Sequence, residues 1–202
     1  NKAFEFKSRS SRIYPQKNLF SHILGQTDDI NNGISGFEKS FDKDLRNIKK
    51  IKKPLHLTLD SNLQYLIREE LIKSQQDFKS IGSAALLMNI NNGEILSLIS
   101  LPDYDLNKRT SLESESYINK ITLGVYELGS VFKTFTVASG INEGLIEPET
   151  EFFDSKKTIS CGDNHTIGEY DDKIPSDLTA EQILIRSGNI GSVRIAQLVG
   201  PE

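Results

Sequence analysis

Cysteine is almost missing from this chain, with one thiol, Cys161, in 202 residues. One sulfur closes no disulfide within the chain and builds no Cys-rich zinc cage, so the fold rests on neither. Cys161 reads as a structural or incidental thiol. Histidine is nearly as scarce: His22, His56 and His165 are scattered, without metal-ligand spacing. A positive excess is also lacking. Lys and Arg number 24 against 28 Asp and Glu, giving net charge −4 and a pI of about 5.5, which argues against nucleic acid as a partner. No apolar run approaches the roughly 20 residues that span a bilayer, and no signal peptide is visible. The expectation is a soluble piece of a longer, anchored protein, since Asn1 and Glu202 fall at no natural beginning or end.

What is present is ordinary globular composition, 37% hydrophobic and 26% charged. That is enough apolar material for one core and a smaller second unit. Residues 1–53 are polar and loop-rich, with short apolar bits at Leu19-Phe20, Ile23-Leu24, Ile34 and Phe37 among turn signals. They read as a small extended module. It ends in the basic run RNIKKIKK, 46–53, read as a solvated linker or a contact for anionic lipid.

Pro54 marks a change. Leu55, Leu57 and Leu59 alternate with polar residues, the pattern of a short strand. Asp60 or Ser61 then caps a helix whose apolar stripe is Leu63, Leu66, Ile67 and Leu71. Two apolar runs, 84–90 and 95–99, flank Asn92-Gly93, a signal for a type I′ hairpin turn. Apolar residues on both faces predict a sheet covered on both sides; within residues 1–202, strands 84–90 and 95–101 would keep an unpaired edge and an uncovered apolar face unless another segment or another chain covers them. Residues 103–125 read as irregular, 130–141 as a buried helix ended near Gly144, and 145–176 as a long polar stretch. A helix over 178–185 capped by Ser176 or Asp177, and another over 190–199, close the chain.

Chemistry is suggested by "YELGSVFKTF", 126–135. A serine in a helix's first turn lies near backbone N–H groups that can donate to an oxyanion, and near the positive end of the helix dipole. A lysine at i+3 shares its face. Apolar Val131, Phe132 and Phe135 would desolvate that lysine and lower its pKa, as a general base requires. Ser130 and Lys133 thus fit an activated nucleophile. Ser40 and Lys43 have the same spacing, but in the polar stretch FEKSFDKDLR, where a motif this short carries little weight. Ser187-Gly188-Asn189 lies on a break between two helices. It reads either as a plain helix-connecting turn or, taken with Ser130 and Lys133, as a hydroxyl and a carboxamide facing a cleft.

At this point the chain resembles the class B penicillin-binding proteins, peptidoglycan D,D-transpeptidases, with a leaning to the division-specific septal subgroup. "RIYPQKNLFSHILGQT" and "GISGFEKSFDKDLR" resemble the non-catalytic pedestal; "LTLDSNLQYLIREEL" and "NINNGEILSLISLPDYDLN" resemble the opening of the transpeptidase domain. "YELGSVFKTFTVASGINEGLI" and "LTAEQILIRSGNIGSVRIAQLVG" resemble its first two motif regions. The resemblance implies a mixed α+β fold, the front part of a penicillin-binding transpeptidase domain (54–202) with antiparallel strands and helices, preceded by part of a pedestal module (1–53). It implies Ser130 as acylated nucleophile, Lys133 as its base, Ser187 as proton relay to the leaving amine, and Asn189 as the group orienting substrate and Lys133. It implies stem peptides and β-lactams as ligands, cell-division or glycosyltransferase membrane proteins as partners, a place on the periplasmic face of the inner membrane, and no cofactor or metal.

Departures are visible. Leu128 and Thr134 stand where the family often has proline, and Gly188 stands in place of the usual serine, which predicts a looser turn. No Lys-Thr-Gly or Lys-Ser-Gly occurs; Lys79-Ser80-Ile81-Gly82 is one residue off and precedes Ser130. That third motif supplies an oxyanion donor in the family, and losing one such donor costs about 10²–10³ in rate. Residues 1–202 are therefore expected to be catalytically incomplete. The competing readings are a serine β-lactamase or penicillin-sensing domain, and a non-enzymatic scaffold with the same fold.

Overall fold

The computed structural model describes residues 11–47, 54–108, 111, 113–153, 156–162 and 164–201. Most of the basic run, 48–53, lies outside them. The chain forms two compact units, Asn1–Val125 and Tyr126–Glu202. The fold is mixed, with helices and short antiparallel strand pairs.

The first unit begins with three short helices, α1 (Ser21–Leu24), α2 (Gly36–Ser40) and α3 (Asp42–Arg46). Ser40 and Lys43 fall on different helices and are both exposed. Helix α4 (Ser61–Phe78) starts where Asp60 was expected to cap it, its carboxylate accepting from the N–H of Asn62 and Leu63. Strands β1 (Ser83–Met88) and β2 (Ile95–Leu101) pair antiparallel, Ser83 opposite Leu101.

Four expectations for this unit need correction. Residues 55–59 form no strand; the segment runs beside β2, joined by Asp60 N–H to the Leu96 carbonyl (2.9 Å) and the Thr58 hydroxyl to that of Ile95 (2.7 Å). The hairpin turn is wider than a two-residue type I′ turn. Asn89 and Glu94 close it, and among its residues Gly93 alone has positive φ (+75°). The sheet is not covered on both sides: it has two strands among the described residues, and Leu86, Leu87 and Met88 of β1 are exposed. An apolar run reports how much burial a strand can use, while the packing partners decide how much it receives. Finally, the innermost residue of α4 is not from the leucine stripe. It is Gln64, 1% exposed, whereas Leu66 is 58% exposed.

Gln64 is a complete junction. Its amide donates to the carbonyls of Leu19 (2.9 Å) and Leu98 (2.8 Å), and its oxygen accepts from the Ser97 hydroxyl (2.8 Å) and Leu98 N–H (3.0 Å). All four of its hydrogen-bonding positions are filled. Arg68, one turn on, grips Asp103 with two nitrogens (2.7 and 3.3 Å), and Asn18 donates to the same carboxylate (3.1 Å). The early segment is thus stitched to α4 and β2. Tyr14 packs with Tyr104 and Leu106 in a small core, and Asn107 bonds both the N–H and the carbonyl of Tyr14.

His22 on α1 packs edge-on against Tyr104, with ring centroids 5.4 Å apart. Its Nε2 donates to the Ser116 carbonyl at 2.8 Å, so the neutral ring leaves Nδ1 to accept from Ser21. Burial, the largest influence, pushes its pKa below the ordinary 6.5, against smaller upward pulls from the Ser116 bond and Asp103. The unfolded chain therefore takes up this proton before the folded one does. The stabilising contribution is complete above pH 6.5 and is lost as pH falls towards the lowered folded value. Urea midpoints measured from pH 8 to pH 5 should decline less steeply in His22→Gln than in the parent; identical slopes would refute this.

The second unit is built on α5 (Lys133–Asn142), β3 (Glu151–Phe152), β4 (Thr158–Cys161), β5 (His165–Gly168), β6 (Leu178–Thr179), α6 (Ala180–Ile185) and α7 (Asn189–Val199). β3 pairs with β6 and β4 with β5, both antiparallel, so the long polar stretch 145–176 holds three strands. The expected cap at Ser176 or Asp177 is also corrected. Leu178 and Thr179 are strand, and Thr179 forms a reciprocal capping box with Gln182. The core gathers Val137, Ile146, Phe152, Ile174, Leu178, Ala180, Ile183 and Ile195. α6 and α7 approach closely at Gly191, where a Cβ would lie 2.5 Å from Ile183 Cγ1. The helix expected to be buried over 130–141 is buried only at Val137 and Gly140 within α5, and Phe135 is 60% exposed.

Candidate active site

Residues 129–132 form a 3-10 turn leading into α5, so Ser130 precedes the first α-turn instead of sitting in it. Gly129 has φ +55°, with nothing near the place a Cβ would occupy. Ser130 is exposed. One turn on, Lys133 is half-buried, and its Nζ donates to the Ser187 carbonyl (2.6 Å), Ser187 Oγ (3.1 Å) and Asn189 Oδ1 (2.5 Å). Of the four candidates, three meet at this amine; Ser130 stands on the turn before it.

The desolvation expected from Val131, Phe132 and Phe135 is not theirs, since all three are exposed. The Lys133 amine is enclosed instead by the link between α6 and α7. Burial lowers its pKa from the ordinary 10.5, and the Glu169 carboxylate pulls it back up. An ammonium has three N–H donors, and all three are spent on Ser187 and Asn189. On losing a proton it must release one of them, and the lone pair so created can turn towards a neighbouring hydroxyl.

The α6–α7 link is tightly made. Ser187 N–H bonds the Leu184 carbonyl (3.1 Å) and Gly188 N–H that of Ile183 (2.9 Å), the paired bonds of a Schellman cap. That cap needs a left-handed residue, usually glycine, and here Ser187 fills it at φ +55°. The Gly188 carbonyl accepts from both the N–H (3.3 Å) and the hydroxyl (2.6 Å) of Ser192. A non-glycine residue held left-handed costs about 1–2 kcal/mol. Ser187→Gly should therefore raise the unfolding free energy by up to about 1 kcal/mol while removing the hydroxyl on Lys133. Ser187→Ala keeps the strain and loses the hydroxyl, so comparing the two variants by urea denaturation separates backbone from side chain.

Glu169 was not found from sequence. It directly follows β5, and its carboxylate accepts from the backbone N–H of Asn189 (Oε2, 2.7 Å) and of Ile190 (Oε1, 2.9 Å). The Asn189 side-chain amide donates to the Gly168 carbonyl (2.7 Å), which turns Oδ1 towards Lys133. A glutamate twenty residues before Asn189 carries no local signal; only the fold brings it there. Among the described residues no group of three or more His, Cys, Asp or Glu side chains is placed to hold a metal ion.

The family model described as the penicillin binding protein transpeptidase domain matches residues 83–202, a span that includes every residue just named. The chain belongs to this transpeptidase family. Curated relatives include the probable peptidoglycan D,D-transpeptidase FtsI of Caulobacter vibrioides, 32% identical over 96% of this chain and 33% of that protein. The peptidoglycan D,D-transpeptidase FtsI of Escherichia coli K12 is 27% identical over 94% of this chain and 35% of its own length. The chain thus spans about a third of the length of these relatives. The fold also resembles that of penicillin binding protein 3 from Mycobacterium tuberculosis, with TM-score 0.81 and 23% identity over 95% of this chain and 44% of that one. Residues 130–133 and 187–189, with β5 and Glu169 between them, all lie within the matched span.

Proposed function

We propose that this chain is part of a serine-type peptidoglycan D,D-transpeptidase of the septal subgroup, with residues 1–53 in its pedestal and 54–202 in its transpeptidase domain. The observation that carries the reading is the Lys133 amine held by Ser187 and Asn189. The relatives named FtsI support the substrate class and the septal role. Lys133, as the free amine, takes the Ser130 proton while Oγ attacks the carbonyl between two D-alanines of a stem peptide. The tetrahedral intermediate collapses, the C–N bond breaks, and Ser187 passes its proton to the departing D-alanine amine while taking one from the Lys133 ammonium, its neighbour at 3.1 Å. An amine from a neighbouring strand then attacks the ester and regenerates Ser130. A β-lactam carbonyl enters by the same first step and leaves the serine acylated. Such an enzyme works on the periplasmic face of the inner membrane; among the described residues no helix is long and apolar enough to cross a membrane.

Residues 1–202 contain two of the family's three motifs, so the full rate belongs to a chain that continues through the third. Fluorescent penicillin should label such a longer chain rapidly and residues 1–202 at least about a hundredfold more slowly. Equal, Ser130-dependent labelling of both would refute the incompleteness of 1–202. No labelling of the longer chain would refute the function.

A further inference from the structure

We propose that Glu169 is a positioning residue of this site, setting Lys133 through Asn189; the inference rests on the acyl-transfer reading above. Three observations meet at this side chain. Its two oxygens take the first two backbone N–H groups of α7, an eleven-residue helix, at 2.7 and 2.9 Å. Those donors have no partner within the helix, so the carboxylate defines where α7 begins. Asn189 is the first residue of that helix, and its carboxamide is pinned from behind by the Gly168 carbonyl, the residue before Glu169. Both anchors of Asn189 thus come from the end of β5, and the face left free holds Lys133.

The arrangement does more than hold shape. β5 carries His165, α6 carries Glu181 with Arg186 just after it, and α7 carries Arg194. Of the charged groups on these elements, Glu169 is the one whose charge acts on Lys133, opposing the effect of burial. Arg194 is engaged elsewhere, donating to the Phe153 carbonyl (2.8 Å). A carboxylate here favours the ammonium, the state with three donors for Ser187 and Asn189. Without that charge the amine gives up its proton at lower pH, and without the two backbone bonds Asn189 is free to shift.

The test uses Glu169→Gln, which keeps the shape and one acceptor but removes the charge. In residues 1–202 with carbon-13-labelled lysine side chains, assigned with Lys133→Arg, the Lys133 titration midpoint should move to lower pH in Glu169→Gln. In the longer, labelling-competent chain, the acid limb of the acylation profile should move in the same direction. Its plateau should fall about ten- to a hundredfold as the site loses register, with partial recovery in Glu169→Asp. A folded Glu169→Gln protein with an unmoved Lys133 titration and acid limb overturns the proposal, because a purely structural cap would change unfolding alone. Should Glu169→Gln fail to fold, hydrogen exchange on the unsubstituted chain decides. Slow exchange at both Asn189 and Ile190 amides supports the anchor, and fast exchange at either overturns it. The lysine titration does not depend on penicillin labelling, so failure of the acyl-transfer reading is separately visible.

Discussion

Ser130→Ala is expected to abolish covalent labelling by fluorescent penicillin in a chain that continues through the whole transpeptidase domain. The loss should be at least about 10³-fold and as large as roughly 10⁶-fold, the range seen when a serine nucleophile acting with its base is removed. Ser130 is exposed on a 3-10 turn after a left-handed Gly129, so deletion of one oxygen there disturbs no packing. Unfolding by urea should stay within about 0.5 kcal/mol of the parent, which separates lost chemistry from lost fold. Lys133→Ala should slow labelling by about 10²–10⁴, the usual worth of a general base, while the nucleophile itself remains. Mass spectrometry of the labelled chain locates the adduct. An adduct on any residue other than Ser130, or undiminished labelling of Ser130→Ala, would sink the assignment.

The second large effect concerns stability. Gln64→Leu replaces a buried amide with a side chain of similar size that can neither donate nor accept. It strands the carbonyls of Leu19 and Leu98, the Leu98 N–H and the Ser97 hydroxyl. Each buried group left unpaired costs about 1–3 kcal/mol. Because Ser97 can rotate to a new partner, about 3–5 kcal/mol in total is expected. Leu66→Ala, on the exposed side of the same helix, should change stability by less than about 1 kcal/mol. The urea midpoint of the first unit reports both. Were Gln64→Leu the milder change, the junction would have no role in stability.

These two residues show where sequence reading works and where it stops. The Ser130–Lys133 pair proposed to act is visible in the sequence because its pattern is local: a glycine, a serine and a lysine at i+3, followed by a helix. The Asp60 cap and the α7 helix were legible for the same reason. Gln64 carries no such signal, because its neighbours Leu63, Ile67 and Leu71 form the apolar stripe and a glutamine beside them reads as solvated. The capping box at Thr179 and Gln182 is present in "LTAEQ", but Ser176 and Asp177 offer equally good capping side chains just before it, and only the β3–β6 pairing shows that the helix starts later. The extra strands at 151–168 are two to four residues long, too short to show a period of two.

The sequence by itself determined the family, the helices α4 and α7, the β1–β2 pair, and the four side chains proposed to act, because each rests on contiguous blocks whose spacing survives without coordinates. The tertiary structure decided which of those side chains meet. It placed the Lys133 amine against Ser187 and Asn189, fifty-four and fifty-six residues away, and brought Glu169 under the start of α7. It also left the apolar surfaces of β1 and of Phe132 and Phe135 exposed. Hydrophobic pattern and helical spacing are properties of neighbouring residues, whereas desolvation and a shared proton depend on groups the chain brings together only by folding.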